Sequence, residues 1–173
     1  GSSHLNVDDG PISWPISSLE RGDLQTGQVQ TAELKQFDAG TAWAAHGNYG
    51  VEYDLTLPLL NRGSNLQKLV VAVESPLKTD RAIGGLQFRS ESKGPVMFRG
   101  PVEVRGLNDT SGRAMGRQIV HLVLRQGQEG PPLGELSLRP GERKDVRIRL
   151  IYPADATPPQ VITVRPVKQS STR

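Results

Sequence analysis

The sequence predicts an all-β fold, and three observations carry that prediction. Apolar and polar residues alternate in several short runs, the 19 glycines and 13 prolines are scattered between those runs, and no stretch keeps a helical period over several turns. Alternation at a period of two is what a strand with one buried face requires, because successive side chains leave it on opposite sides. Scattered Gly and Pro are the punctuation of many short strands and turns.

The clearest run is Val51-Glu52-Tyr53-Asp54-Leu55-Thr56-Leu57, with valine, tyrosine and leucines on one face and Glu52, Asp54 and Thr56 on the other. Asn61 to Asn65 then reads as a turn. Leu69 to Val73 is apolar on both faces, which predicts a central strand ended by Pro76. Leu86 to Arg89 predicts a short strand after Gly84-Gly85. Val96, Phe98, Val102 and Val104 share a parity, and Gly100-Pro101 within that run predicts a bulge or an edge bend. A turn at 108–112 leads to a strand from Ile119 to Arg125, with Val120, Leu122 and Leu124 on one face. Glu33 to Ala45 is ambiguous, since Gly40 weakens a helical reading.

The C-terminal third is the most diagnostic. Leu136-Ser137-Leu138 runs into Arg139-Pro140-Gly141-Glu142, after which Val146, Ile148, Leu150 and Tyr152 alternate with Arg147 and Arg149. A short strand, a Pro-Gly turn and a long alternating strand predict a hairpin of the kind found in immunoglobulin-like modules. Val161 to Val164 is a last strand. The runs together predict an immunoglobulin-like antiparallel β-sandwich of roughly seven to nine strands. They form a single domain over residues 1–168, followed by a frayed polar tail at 169–173. Tyr53, Leu55, Leu57, Val71, Val120, Leu122, Val146, Ile148 and Leu150 are the expected core.

Composition narrows the function classes. A chain of 173 residues buries roughly 70% of its unfolded surface, so it needs no metal or disulfide to hold it together. The absence of cysteine excludes disulfide frameworks, zinc ribbons and thiol nucleophiles. The formal charge of +3 is too small to predict nucleic acid as a partner. No apolar run approaches the roughly 18 residues of a membrane span, and no signal peptide is visible. The opening Gly1-Ser2-Ser3-His4 has the composition of an expression scar.

Six blocks stand out in order along the chain. The first three are Thr26-Gly27-Gln28-Val29-Gln30-Thr31-Ala32, Ala45-His46-Gly47-Asn48-Tyr49-Gly50-Val51-Glu52-Tyr53 and Leu55-Thr56-Leu57-Pro58-Leu59. The others are Phe98-Arg99-Gly100, Val120-His121-Leu122-Val123 and the stretch from Tyr152 through Pro158-Pro159 to Val161. Together these blocks resemble the cyanobacterial domain of unknown function 3370 family. The resemblance places the chain at the C-terminal portion of longer members that look exported. It implies a periplasmic or cell-envelope setting and transfers no catalytic or ligand residues.

Two sets of residues are candidates for binding. Trp43, His46, Asn48 and Tyr49 gather an aromatic face, an imidazole and an amide in one Gly-rich connection, chemistry that suits a sugar. The same connection reads equally as a structural turn, with Gly47 and Gly50 permitting positive φ. Arg99, Arg147 and Arg149, with Arg89 and Arg105, fall on outward strand positions and suit an acidic polysaccharide, lipid headgroups or an acidic protein. Their plain reading is a solvated face paired with Glu91, Glu103 and Asp145. His46 or His121 beside Asp38 or Asp54 is a weaker acid–base or metal pairing, and His121 is expected to be partly buried among Ile119 and Val123. Asp8-Asp9-Gly10 lacks the further carboxylates of a calcium loop.

The reading that results is a non-catalytic interaction or structural module of an exported envelope protein. It has no cofactor and no metal, and an envelope protein or polysaccharide is its expected partner. The alternatives are a carbohydrate-binding module using the Trp43–Tyr49 loop or the arginine face, and a hydrolase with His46 as its acid–base group.

Overall fold

The computed structural model describes residues 4–16, 33–35, 50–77, 86–91 and 93–168. Among them the fold is all-β, its one helical element being the single 3-10 turn Val7–Asp9. The strands are β1 (Leu5–Asn6), β2 (Ile12–Ile16), β3 (Glu33–Lys35), β4 (Glu52–Leu60), β5 (Gln67–Glu74), β6 (Val96–Asn108), β7 (Ala114–Arg125), β8 (Gly134–Leu138), β9 (Arg143–Ile151) and β10 (Gln160–Pro166). The count exceeds expectation because β1 and β3 are too short to show alternation and Pro15 disguises β2.

Backbone pairing joins all ten in one sheet of order β1-β4-β9-β6-β8-β5-β10-β2, with β3 added on β4 and β7 on β6. β1 runs parallel to β4 and the other pairs are antiparallel, so the sheet is mixed. It curls into a half-barrel around a shared apolar core. The long strands β6 and β7 form a hairpin whose turn is organised by Asp109. One Asp109 carboxylate oxygen accepts from the Ser111 and Arg113 amides at 2.9 and 3.0 Å and from the Ser111 hydroxyl at 2.6 Å. β5 lies between β8 and β10, the central position that its two apolar faces require.

Tyr53, Leu55, Leu57, Val71, Leu122, Val146, Ile148 and Leu150 are buried. Val120 is only partly buried, packed against the edge of the core. Leu150, 4% exposed and opposite Tyr53 in the β4–β9 register, fills the core from a long strand. Leu150→Ala is expected to cost roughly 2–5 kcal/mol in a chemical denaturation series.

Four local expectations are corrected. The strands flanking Pro140-Gly141 do not make a hairpin: β8 pairs with β5 and at one position with β6, whereas β9 pairs with β4 and β6. The turn is an arch, and Asn61 wedges into it. The Asn61 side-chain amide donates to the carbonyls of Leu138 (2.9 Å) and Asn65 (2.7 Å). Its main chain donates to Glu142 O and accepts from Gly141 N, at 3.1 and 2.7 Å. Bonds that a hairpin would close between its own strands are supplied here by a residue about 80 positions upstream.

Residues 86–89 are not a strand, although Leu77 and Arg89 amides bond across this stretch to Gln87 O and Gly127 O. β6 runs unbroken through Gly100-Pro101, and the shifts in its register with β7 fall instead at Met97, at Arg105-Gly106 and at Met115 of β7. Gly106 has φ +97°, and a Cβ there would stand 2.5 Å from the Asp145 carbonyl oxygen, so the bulge needs glycine. Pro101 is tolerated because β9 pairs with β6 only from Glu103 to Arg105, leaving no acceptor strand among the described residues beside the missing N–H. Finally, His121 is exposed, together with Ile119 and Val123 of the same parity. Their face of β7 looks outward, since the inward parity is already filled by Leu122 and Leu124.

Candidate functional site

Trp43, His46, Asn48 and Tyr49 lie outside the described residues, as does the 169–173 tail. Arg99, Arg147 and Arg149 are brought to one outer face of the sheet, where β4, β9, β6 and β7 lie side by side. Register fixes who meets whom. Arg149 stands opposite Asp54 of β4 and Glu103 of β6, and Arg147 opposite Thr56 and Arg105. Side chains then reach diagonally, as cross-strand neighbours two positions apart can.

Arg147 grips Asp54 with two parallel bonds, Nε to Oδ1 at 2.8 Å and Nη2 to Oδ2 at 2.6 Å. This is the fork geometry that makes Arg–carboxylate pairs specific. Arg149 donates from Nη2 to Glu52 Oε1 at 2.7 Å. It also stands 3.8 Å from Asp54 and 3.7 Å from Glu103. Arg117 of β7 bonds to the other Glu103 oxygen, and Arg105 approaches Glu103 within 3.9 Å. Charges thus alternate across four strands, with Arg105, Arg117, Arg147 and Arg149 set among Glu52, Asp54 and Glu103. Asp54 is 6% exposed, a burial that a carboxylate tolerates because guanidinium groups replace its water.

The electrostatics follow the geometry. The hydrogen bond from Arg117 holds the Glu103 carboxyl below its ordinary range, against partial burial and helped by the charges of Arg117, Arg105 and Arg149. Bonding to Asp54 raises Arg147, and bonding to Glu52 raises Arg149. Because Glu103 titrates lower when folded, it contributes stability above its unfolded value near 4.5 that is lost as pH falls through the folded value. Glu103→Gln is therefore expected to flatten the acid limb of a stability-against-pH curve, while changing stability little once the wild-type carboxyl is protonated. An unchanged acid limb would show that the pairing is fully solvated.

An open groove of about 480 Å³ lies over this lattice. Its lining mixes polar side chains, Glu52, Arg99, Arg117 and Arg149, with aliphatic ones, Pro101, Ile119, Ile151 and Pro153. Arg99, exposed on the rim, makes no ion pair among the described residues. Arg89 belongs to a separate opening of about 460 Å³ with Arg125, Val123 and Gln128. Two of the expected acidic partners do not pair with these arginines: Glu91 pairs with Lys93, and Asp145, on the same face opposite Pro58, makes no ion pair among the described residues. Sequence reasoning did not name Glu52 or Arg117 as site residues and matched Asp54 with a histidine instead of Arg147, although the polar parity of β4 was the available signal. Asp54 is committed to Arg147, away from any histidine in the described residues. Among those residues no three His, Asp or Glu side chains gather as a metal would require.

Fold and site together define an all-β domain with a charge-laced outer face whose carboxylates are tied to guanidinium groups. A family model described as protein of unknown function, DUF3370, matches residues 2–166, and the chain belongs to that family. No curated protein matches it. No helix among the described residues is long and apolar enough to cross a membrane.

Proposed function

We propose that the chain is a non-catalytic interaction or structural module of a longer, exported cell-envelope protein, of which it forms the C-terminal portion. The observation that carries this reading is the outer face of β4, β9, β6 and β7. Its carboxylates are occupied by arginines, which removes them from acid–base work, while Ile119, Val123 and Ile151 remain 55%, 51% and 53% exposed beside them. Exposed aliphatic residues rimmed by charge suit contact with another macromolecule. The envelope setting rests on the resemblance of the Ala45–Tyr53 and Tyr152–Val161 blocks to cyanobacterial members that look exported. The fold is read, within the same proposal, as an immunoglobulin-like sandwich whose two layers join through the single Asn108–Glu135 pair of β6 and β8.

Fractionation of cells that make the natural gene product tests the setting, with recovery in the periplasm or envelope expected and a cytosolic product overturning it. A screen of chromogenic ester and glycoside substrates tests the rest. Turnover that His46→Ala abolishes would replace this reading with a hydrolase.

A further inference from the structure

We propose that the edge of β7 left unpaired among the described residues accepts an extended, acidic and aliphatic segment of another protein as an added strand. The inference rests on the interaction-module reading and names the partner's chemistry.

Among the described residues β7 pairs on one side only, with β6. Pro101 stands opposite His121 and has no N–H, so this pair is a non-bonded one in the antiparallel ladder. The alternation of such ladders then directs the amides and carbonyls of Ile119, His121 and Val123 away from β6, toward the open edge. No backbone bond outside the strands uses these groups among the described residues. The edge has defined ends. Past Val123, the Arg125 amide donates to Gln128 Oε1 and the Arg125 carbonyl accepts from Gln128 N, at 2.7 and 3.1 Å. At the other end the Met115 carbonyl accepts from the Gln118 side chain at 2.9 Å.

An exposed edge with this much aliphatic surface is ordinarily blunted. Here the residues of outward parity read Arg117, Ile119, His121, Val123, Arg125, with Arg99 of β6 opposite Val123. That order is symmetric about His121. A second copy pairing antiparallel on the same edge would set Arg117 opposite Arg125 at both ends and histidine opposite histidine in the middle. Like charges directly opposed destabilise a strand pair, so the pattern disfavours self-association. The same pattern favours a strand with carboxylates opposite Arg117, His121 and Arg125 and aliphatic side chains opposite Ile119 and Val123. Main-chain bonds would supply affinity and the alternating side chains selectivity, as in strand addition generally.

The probe is a nine-residue peptide with glutamate at its ends and centre, valine midway between and threonine elsewhere; the control replaces glutamate by lysine. Amide exchange is followed at Ile119, His121 and Val123. Rapid exchange in the free chain, slowed by the glutamate peptide and not by the lysine peptide, is expected. Arg117→Glu with Arg125→Glu should weaken the glutamate peptide by about tenfold or more and improve the lysine peptide. His121→Pro, which blocks the edge, should abolish both if its melt shows a folded chain. The charge variants decide the matter if it does not. Slow exchange in the free monomer, equal binding of both peptides, or a concentration-dependent dimer that protects these amides would each overturn the proposal. Such a failure concerns this edge alone, whereas fractionation and the substrate screen test the underlying reading.

Discussion

Tyr152→Ala is expected to destabilise the fold by about 3–5 kcal/mol, the cost of emptying a large aromatic from a packed core. Tyr152 is fully buried where β9 ends, with its ring 6.5 Å from Tyr53 in an edge-on contact and 6.2 Å from Phe98. The ring therefore ties β9 to β4 and β6 at once. Its hydroxyl donates to Gln160 Oε1, and the Gln160 amide donates to Thr157 O at 2.8 Å and to Ser75 Oγ at 3.4 Å. This places the start of β10 against the end of β5. Tyr152→Phe separates the two contributions, because it keeps the ring and leaves a buried Gln160 oxygen with one donor fewer. It should cost about 1–3 kcal/mol. Urea titrations with unchanged slope would measure both. A loss under about 1 kcal/mol for the alanine variant would mean that the three rings do not pack in solution.

The parity of single strands was legible in the sequence, and the partners of those strands were not. Leu55, Leu57, Ile148 and Leu150 fell on the buried face because alternation is a local property of the chain. His121 was misjudged because both parities of β7 are apolar: Ile119 and Val123 look as buriable as Leu122 and Leu124, and only the fold shows that the latter take the inward face. The arch at Pro140-Gly141 shows the same limit. Its turn chemistry was readable, but the decision to bond β8 to β5 and β9 to β4 rests on contacts with residues far upstream, Asn61 among them. The arginine face was half legible. Arg147 and Arg149 were placed on one face correctly, yet Asp54 and Glu52, 93 and 97 positions away, were found only through the β4–β9 register. Pairing turns what the sequence presents as a row of cations into an alternating lattice of charges.

Glu74→Ala is expected to cost about 3 kcal/mol, near the lower end for breaking a buried ion pair because Arg165 keeps some access to water. Glu74 is the last residue of β5, 1% exposed, and it accepts from the Gly130 amide at 2.8 Å. Arg165 of β10 stands 3.5 Å from the same carboxylate and also donates to Gly130 O at 3.3 Å. The three residues lock the connection before β8 against the neighbouring strands β5 and β10. The fit is close: a Cβ on Gly130 would lie 1.9 Å from the Val73 carbonyl oxygen, so the loop has no room to move and bond elsewhere. Removing the carboxylate strands an amide and a guanidinium, whose Nε already lacks a partner. Glu74→Gln keeps an acceptor for Gly130 and should lose less. The double variant Glu74→Ala with Arg165→Ala should recover part of the loss, since no unpaired cation is left behind, and the four measurements form a double-mutant cycle. Strict additivity would show that Glu74 is held by the Gly130 amide alone and that Arg165 is a bystander.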